Sequence, residues 1–185
     1  MDQNQYPKND RREVFGWLTY DWANSAFFTT VVTVLAGPYL TALAQAPIEQ
    51  GGVGKGGIVL GLGPFGSITS DNLFTSTLGA SIFLQIFLLP LLGSIADFTP
   101  WKKKMMAAFC YTGVISSSLL FFITGGSYLW GCVFLLISNI CFAASNVFYN
   151  SFLVDITSEN QRDKISSYGY AAGYVGGLIM LFFNL

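Results

Sequence analysis

The chain is 185 residues long; 52% of it is apolar, 16% aromatic and only 10% charged, with a formal net charge of −1 and no histidine. Soluble domains carry about 25% Asp, Glu, Lys and Arg, and disordered chains are poor in aromatics, so the composition excludes both and specifies an all-α, polytopic membrane protein. Near-neutral charge gives no basic field for nucleic acid, and the missing imidazole removes a general acid–base group and the commonest metal ligand.

Residues 1–13 form a polar tail of mixed charge, and residues 14–185 carry five apolar segments. Each is close to the ~20 residues needed to cross ~30 Å of hydrocarbon at ~1.5 Å per residue. The first runs from about Phe15 to Leu40. It is too long for a signal peptide and lacks a small-residue cleavage site, so it is expected to remain as a signal-anchor helix. Gly37-Pro38 is expected to kink or end it. A long outer loop follows, over about residues 41–72, with the run Gly51-Gly52-Val53-Gly54-Lys55-Gly56-Gly57. Gly54-Lys55 matches a phosphate loop, but Glu49 and Gly56 do not, so the run reads as a flexible linker. Ile58 to Phe65 could form a short interfacial segment. The second segment spans about Leu73 to Ile95, and the third, Met105 to Thr124, turns through Gly125-Gly126-Ser127 into the fourth, Tyr128 to Leu153. The fifth begins near Ile165 and is still apolar at Leu185. Cys110, Cys132 and Cys141 all lie in apolar runs and match neither zinc nor redox spacing, so they read as small buried hydrophobes.

Lys8, Arg11 and Arg12 precede the first span, Lys102, Lys103 and Lys104 follow the second, and Arg162 and Lys164 follow the fourth. Only Lys55 lies in the opposite loops, so eight of nine basic residues share one side. The positive-inside rule then places the N-terminus in the cytoplasm, with the cell (inner) membrane as the expected location.

Ionisable groups within spans are costly and usually face a cavity or a partner. Asp21 is the carboxylate well inside the first span; Asn24 and Ser25 follow at i+3 and i+4, and Trp17 and Phe28 extend that face. Asp21 could face a cavity, pair with Arg12 or snorkel toward the cytoplasm. In the fourth span Asn139, Asn146 and Asn150 stay within about 40° of one another, with Ala143 in the same stripe and Phe134, Ile137 and Phe148 largely outside it. The second span offers Thr77, Ser81 and Gln85 at i+4 steps. All of these groups can be read as interhelical glue or as a binding surface. Gly169, Gly173 and Gly177 recur every four residues in the fifth span, a pattern for close helix packing rather than a solute site.

Gly93-Ser94-Ile95-Ala96-Asp97-Phe98-Thr99-Pro100-Trp101-Lys102-Lys103-Lys104 resembles the loop signature of the major facilitator superfamily, with Phe98, Pro100 and Trp101 departing from it. Tyr20-Asp21-Trp22-Ala23-Asn24-Ser25-Ala26-Phe27 resembles the hallmark of the autophagy-related vacuolar effluxer family and its bacterial relatives. Tyr149-Asn150-Ser151-Phe152-Leu153-Val154-Asp155-Ile156 and Tyr168-Gly169-Tyr170-Ala171-Ala172-Gly173-Tyr174 are similar to that family's fourth-to-fifth helix region.

The resemblance implies a twelve-helix secondary transporter of two six-helix halves, with the first and fourth helices lining the cavity; its fungal members export amino acids from the vacuole. Five spans without a sixth or a second half lead to the expectation of a fragment, whose partners are membrane lipid, a small polar solute and the missing C-terminal half. Under this reading Asn24, Asn146 and Asn150 hydrogen-bond the solute, with Gln85 in the same set. Asp21 binds a solute ammonium or carries a coupling proton. Gly93, Asp97, Lys102 and Lys103 belong to a gating loop in which Asp97 pairs with lysines or caps a helix N-terminus. Asp155 and Arg162 form a second closure pair, and Ser158 with Gln161 makes a capping box for the fifth helix. The rival reading is a non-transporting membrane scaffold or regulatory module, or a decayed gene product. With no nucleophile elbow, metal-ligand cluster or buried carboxylate pair, neither a cofactor nor an enzymatic activity is expected.

Overall fold

The computed structural model describes residues 8–184, so the first seven residues of the polar tail and Leu185 lie outside the described residues. It contains five helices long and apolar enough to span a membrane. They are α1 (Arg11–Gln45), α2 (Leu73–Phe98), α3 (Lys102–Leu119), α4 (Tyr128–Ile156) and α5 (Glu159–Asn184).

Helix α1 starts where Asp10 caps it, its carboxylate accepting the Arg12 N–H at 2.7 Å. It then changes winding: Phe27–Ala36 is π-helical, with Thr33 Oγ1 donating to the Phe28 carbonyl five residues back. The helix does not end at Gly37-Pro38, although its winding changes there. The α-helical segment Gly37–Gln45 follows, with Pro38 at the junction of the two windings, where the ladder changes register and the missing N–H falls.

The glycine-rich stretch is folded, contrary to its reading as a flexible linker. Strand β1 (Ile58–Gly61) pairs antiparallel with β2 (Ser67–Thr69). A lone two-stranded hairpin is marginal in water, so its stability comes from side chains that tie it down. Ser70 is fully buried, donating its hydroxyl to the Gly54 carbonyl and its N–H to the Gly57 carbonyl. Val53, Val59 and Ile68 pack on Ala44, Leu73 and Tyr128 at the ends of α1, α2 and α4. Glycine is required sterically here: a Cβ on Gly52 would lie 2.1 Å from the Ala46 carbonyl oxygen, and one on Gly57 would lie 2.0 Å from that of Val53.

Water exclusion does not drive helix pairing inside lipid, so close packing and interhelical hydrogen bonds must. Helix α4 packs along both α2 and α3, while α5 packs along α1. Phe148 is fully buried among Leu92, Ala96 and Ala144 and stacks on Phe109 of α3, ring centroids 5.9 Å apart. Gly113 lets α3 approach α4 until a Cβ there would sit 3.3 Å from Cys141 Cβ. The three cysteines are free thiols, with Cys141 buried.

Asn139 belongs to this packing rather than to a binding stripe: it is buried and donates to Ser81 Oγ of α2 at 2.7 Å. Asn139→Ala is therefore expected to lower unfolding stability in bicelles by about 1 kcal/mol. The same variant should leave solute binding unchanged in an equilibrium binding assay.

Candidate solute-binding site

The polar positions of the first span converge with those of the fourth. Asn24 Nδ2 of α1 donates to Asn146 Oδ1 of α4 at 2.8 Å. Below and above this bridge open two cavities that share Asp21, Asn146 and Tyr170. The larger, of about 500 Å³, lies between α1, α4 and α5 and includes Asn24, Ser25, Phe142 and Tyr174 in its wall. The smaller, of about 190 Å³, adds Trp17, Tyr149, Asn150 and Ser166.

Asp21 stands at the junction of the two cavities. Its carboxylate lies against α5 at a position where that helix has no side chain: a Cβ on Gly173 would fall 2.7 Å from Asp21 Oδ2 and 2.9 Å from Ser25 Oγ. Neither a hydrogen-bond donor nor a cation pairs with that carboxylate among the described residues. The alternative pairing with Arg12 is not formed. Nine residues at about 100° each put Arg12 on the opposite face of α1, where it is exposed.

The wall between the small cavity and the bundle is aromatic. Trp17 stacks on Tyr149 at 4.5 Å and 9°, and its indole N–H donates to the Tyr149 carbonyl at 3.0 Å. Tyr149 Oη is buried without a hydrogen-bond partner among the described residues.

Inside hydrocarbon, a carboxylate free of partners among the described residues, flanked by amides and opening on two cavities, is placed where it can face a ligand. Residues 9–161 match the family described as vacuole effluxer Atg22 like. The chain belongs to that family. The uncharacterized MFS-type transporter YxiO of Bacillus subtilis is 35% identical over 165 residues, which is 88% of this chain and 34% of that protein. Autophagy-related protein 22-1 of Penicillium rubens is 27% identical over 187 residues, covering 83% of this chain and 31% of the fungal protein. This Atg22-like chain thus spans about a third of the length of these relatives. No solved structure gives a significant match.

The structure brings some of the sequence candidates together and separates others. Asp21, Asn24, Asn146 and Asn150 line the two cavities. Gln85 lines neither; it lies on α2, its Nε2 buried and unpartnered among the described residues. The reason is that α2 packs along α4 and meets α1 over Gly37–Gln45 rather than over the segment carrying Asp21, so its polar stripe meets Asn139 instead. Gly169, Gly173 and Gly177 do pack closely, against Trp17, Asp21 and Thr29 of α1, but Gly173 and Gly177 also line the large cavity. Tyr170 and Tyr174, which sequence reasoning passed over, follow two of these glycines at the same four-residue period. That parallel stripe was the available signal.

At the basic end the expected pairs are rearranged. Asp155 pairs with Lys102 Nζ at 2.7 Å and not with Arg162, whose Nε is buried and unpartnered among the described residues. Lys102 opens α3 and Asp155 lies in the last turn of α4, each at the helix end whose dipole disfavours its charge, so pairing relieves both. Asp97 is exposed in the last turn of α2 and, among the described residues, neither pairs with a lysine nor caps a helix N-terminus; Lys103 is exposed, and Gly93 faces Val147 of α4. The capping box at α5 is replaced by Asn9. Its side chain accepts the Ser158 N–H at 3.1 Å and donates to Ser158 Oγ at 2.8 Å, while its own N–H donates to the Ile156 carbonyl at 2.8 Å. A φ of 68° allows this, a conformation that asparagine tolerates.

Proposed function

We propose that this chain forms most of the N-terminal six-helix half of a secondary active transporter, moving a small polar solute by alternating access, with amino acids among the candidates. The observation that carries the reading is the pair of polar cavities meeting at Asp21 between three membrane-spanning helices. Asn24, Asn146 and Asn150 supply hydrogen bonds to the solute, and Asp21 supplies either a counter-charge or a coupling-proton site. The remaining wall comes from polypeptide corresponding to the rest of the relatives' length. The N-terminus faces the cytoplasm of the cell membrane, and Asp97 with the lysine cluster faces the same side as a closing element.

The test is a chimera in which this chain replaces the matching segment of YxiO, reconstituted in proteoliposomes and supplied with a radiolabelled mixture of amino acids and amines. Flux is expected, and Asn146→Ala should lower it by about tenfold or more, since it removes the Asn24 bridge and a solute contact together. A folded chimera with no flux of any solute, under either a proton gradient or an exchange gradient, would favour the non-transporting module.

A further inference from the structure

We propose that the cavity at Asp21 selects protonated amines and requires no carboxylate on its ligand; the inference rests on the reading of that cavity as a solute site. The charge inventory of the walls carries it. Among the described residues Asp21 is the single carboxylic acid facing the two cavities, and neither a lysine nor an arginine lines them. Its carboxylate accepts from no donor among the described residues, so its acceptor capacity is open to a ligand. The Asn24–Asn146 bridge uses Asn24 Nδ2 and Asn146 Oδ1, which leaves Asn24 Oδ1 as a second acceptor without a donor among the described residues. An ammonium has three donors and no acceptor, which suits two acceptors on one helix face.

The remaining surface points the same way. Phe28, Phe142, Tyr170 and Tyr174 present aromatic rings to the large cavity, and ring faces attract a cation once water is displaced. An anionic group would find neutral donors alone, the amides of Asn146 and Asn150 and the hydroxyls of Thr29, Ser166 and the wall tyrosines, with no cation among the described residues, and would be repelled by Asp21. The site therefore ranks ligands by charge: monocation above zwitterion, and zwitterion above anion. In a complete transporter any recognition of a solute carboxylate falls to walls outside this chain.

Three probes of one ring size separate these classes: tyramine, tyrosine and 3-(4-hydroxyphenyl)propionate. Each is titrated by equilibrium binding onto the purified 185-residue chain in phosphatidylcholine nanodiscs, with empty discs as the background. Tyramine should bind at least about tenfold more tightly than the propionate, with tyrosine between them. Asp21→Asn should weaken tyramine by about tenfold or more, and Asp21→Glu should restore part of the loss. Circular dichroism and size-exclusion profiles of both variants separate loss of charge from loss of fold. Equal binding of all three probes, no tyramine binding by the folded wild-type chain, or an Asp21→Asn variant with unchanged tyramine affinity would each overturn the proposal. Failure here is distinct from failure of the transport reading. Chimera flux of anionic solutes that ignores Asp21→Asn keeps transport and sinks the amine site, whereas tyramine binding without flux does the reverse.

Discussion

Replacing Gly176 by valine is expected to force α5 away from α1 and to produce one of the largest stability losses available in this chain. A Cβ at Gly176 would lie 2.4 Å from the Trp22 carbonyl oxygen and 3.1 Å from its carbonyl carbon, both backbone atoms of α1 that no rotamer change can move. The neighbouring contacts offer no relief, because Gly169 already meets the Trp17 ring at 2.5 Å and Gly173 meets Asp21. Overpacking usually costs about 1–3 kcal/mol, and the rigidity of the opposing atoms puts this case at about 3 kcal/mol. Reversible unfolding in mixed micelles measures it, and hydrogen exchange along α5 localises it. Gly79, with nothing within 4 Å of a Cβ, provides the control: Gly79→Ala should be neutral or slightly stabilising. Equal stability of the Gly176 and Gly79 variants would contradict the close α1–α5 contact.

The second large effect is expected at Trp17, which joins three helices. Its ring is buried, stacks on Tyr149 of α4 and fills the notch above Gly169 of α5. Tyr20 extends the stack at 5.1 Å from Tyr149. Trp17→Ala should cost about 3 kcal/mol, at the lower end for large aromatic truncations, because in lipid only packing and the indole hydrogen bond are lost. Trp17→Phe keeps a ring against Tyr149 and gives up the N–H donor to the Tyr149 carbonyl, so about 1 kcal/mol is expected. A chemical unfolding series of both variants in one bicelle composition measures the two contributions. An alanine variant no less stable than the phenylalanine variant would place the stabilisation in the hydrogen bond rather than in the stack.

The same geometry ties stability to the site. Trp17 and Gly173 hold α1 and α5 at the separation that leaves Asp21 between two cavities. Variants that open this contact are expected to disturb the ligand site through its shape. Asn139→Ala should not, because Ser81 and Asn139 lie in the α2–α4 contact.

The sequence by itself determined that the chain crosses a membrane five times, because apolar length and charge content are one-dimensional properties. It also determined which polar residues share a helix face, since 100° per residue sets the angle between Asp21, Asn24 and Ser25, or between Asn139, Asn146 and Asn150. Angle does not name a neighbour. Asn139 and Asn146 project within about 20° of each other, yet seven residues of rise carry them past different helices, so one meets Ser81 of α2 and the other Asn24 of α1. Only the tertiary structure decided that Gly173 of α5 lies over Asp21, that Tyr170 and Tyr174 enter the cavity wall, that Asp155 takes Lys102, and that Asn9 closes the turn into α5. It also decided that the glycine-rich loop folds, through Ser70 and the apolar ends of α1, α2 and α4, of which Tyr128 of α4 is distant in the chain. Each of these outcomes depends on helix crossing and long-range packing, which no local spacing encodes.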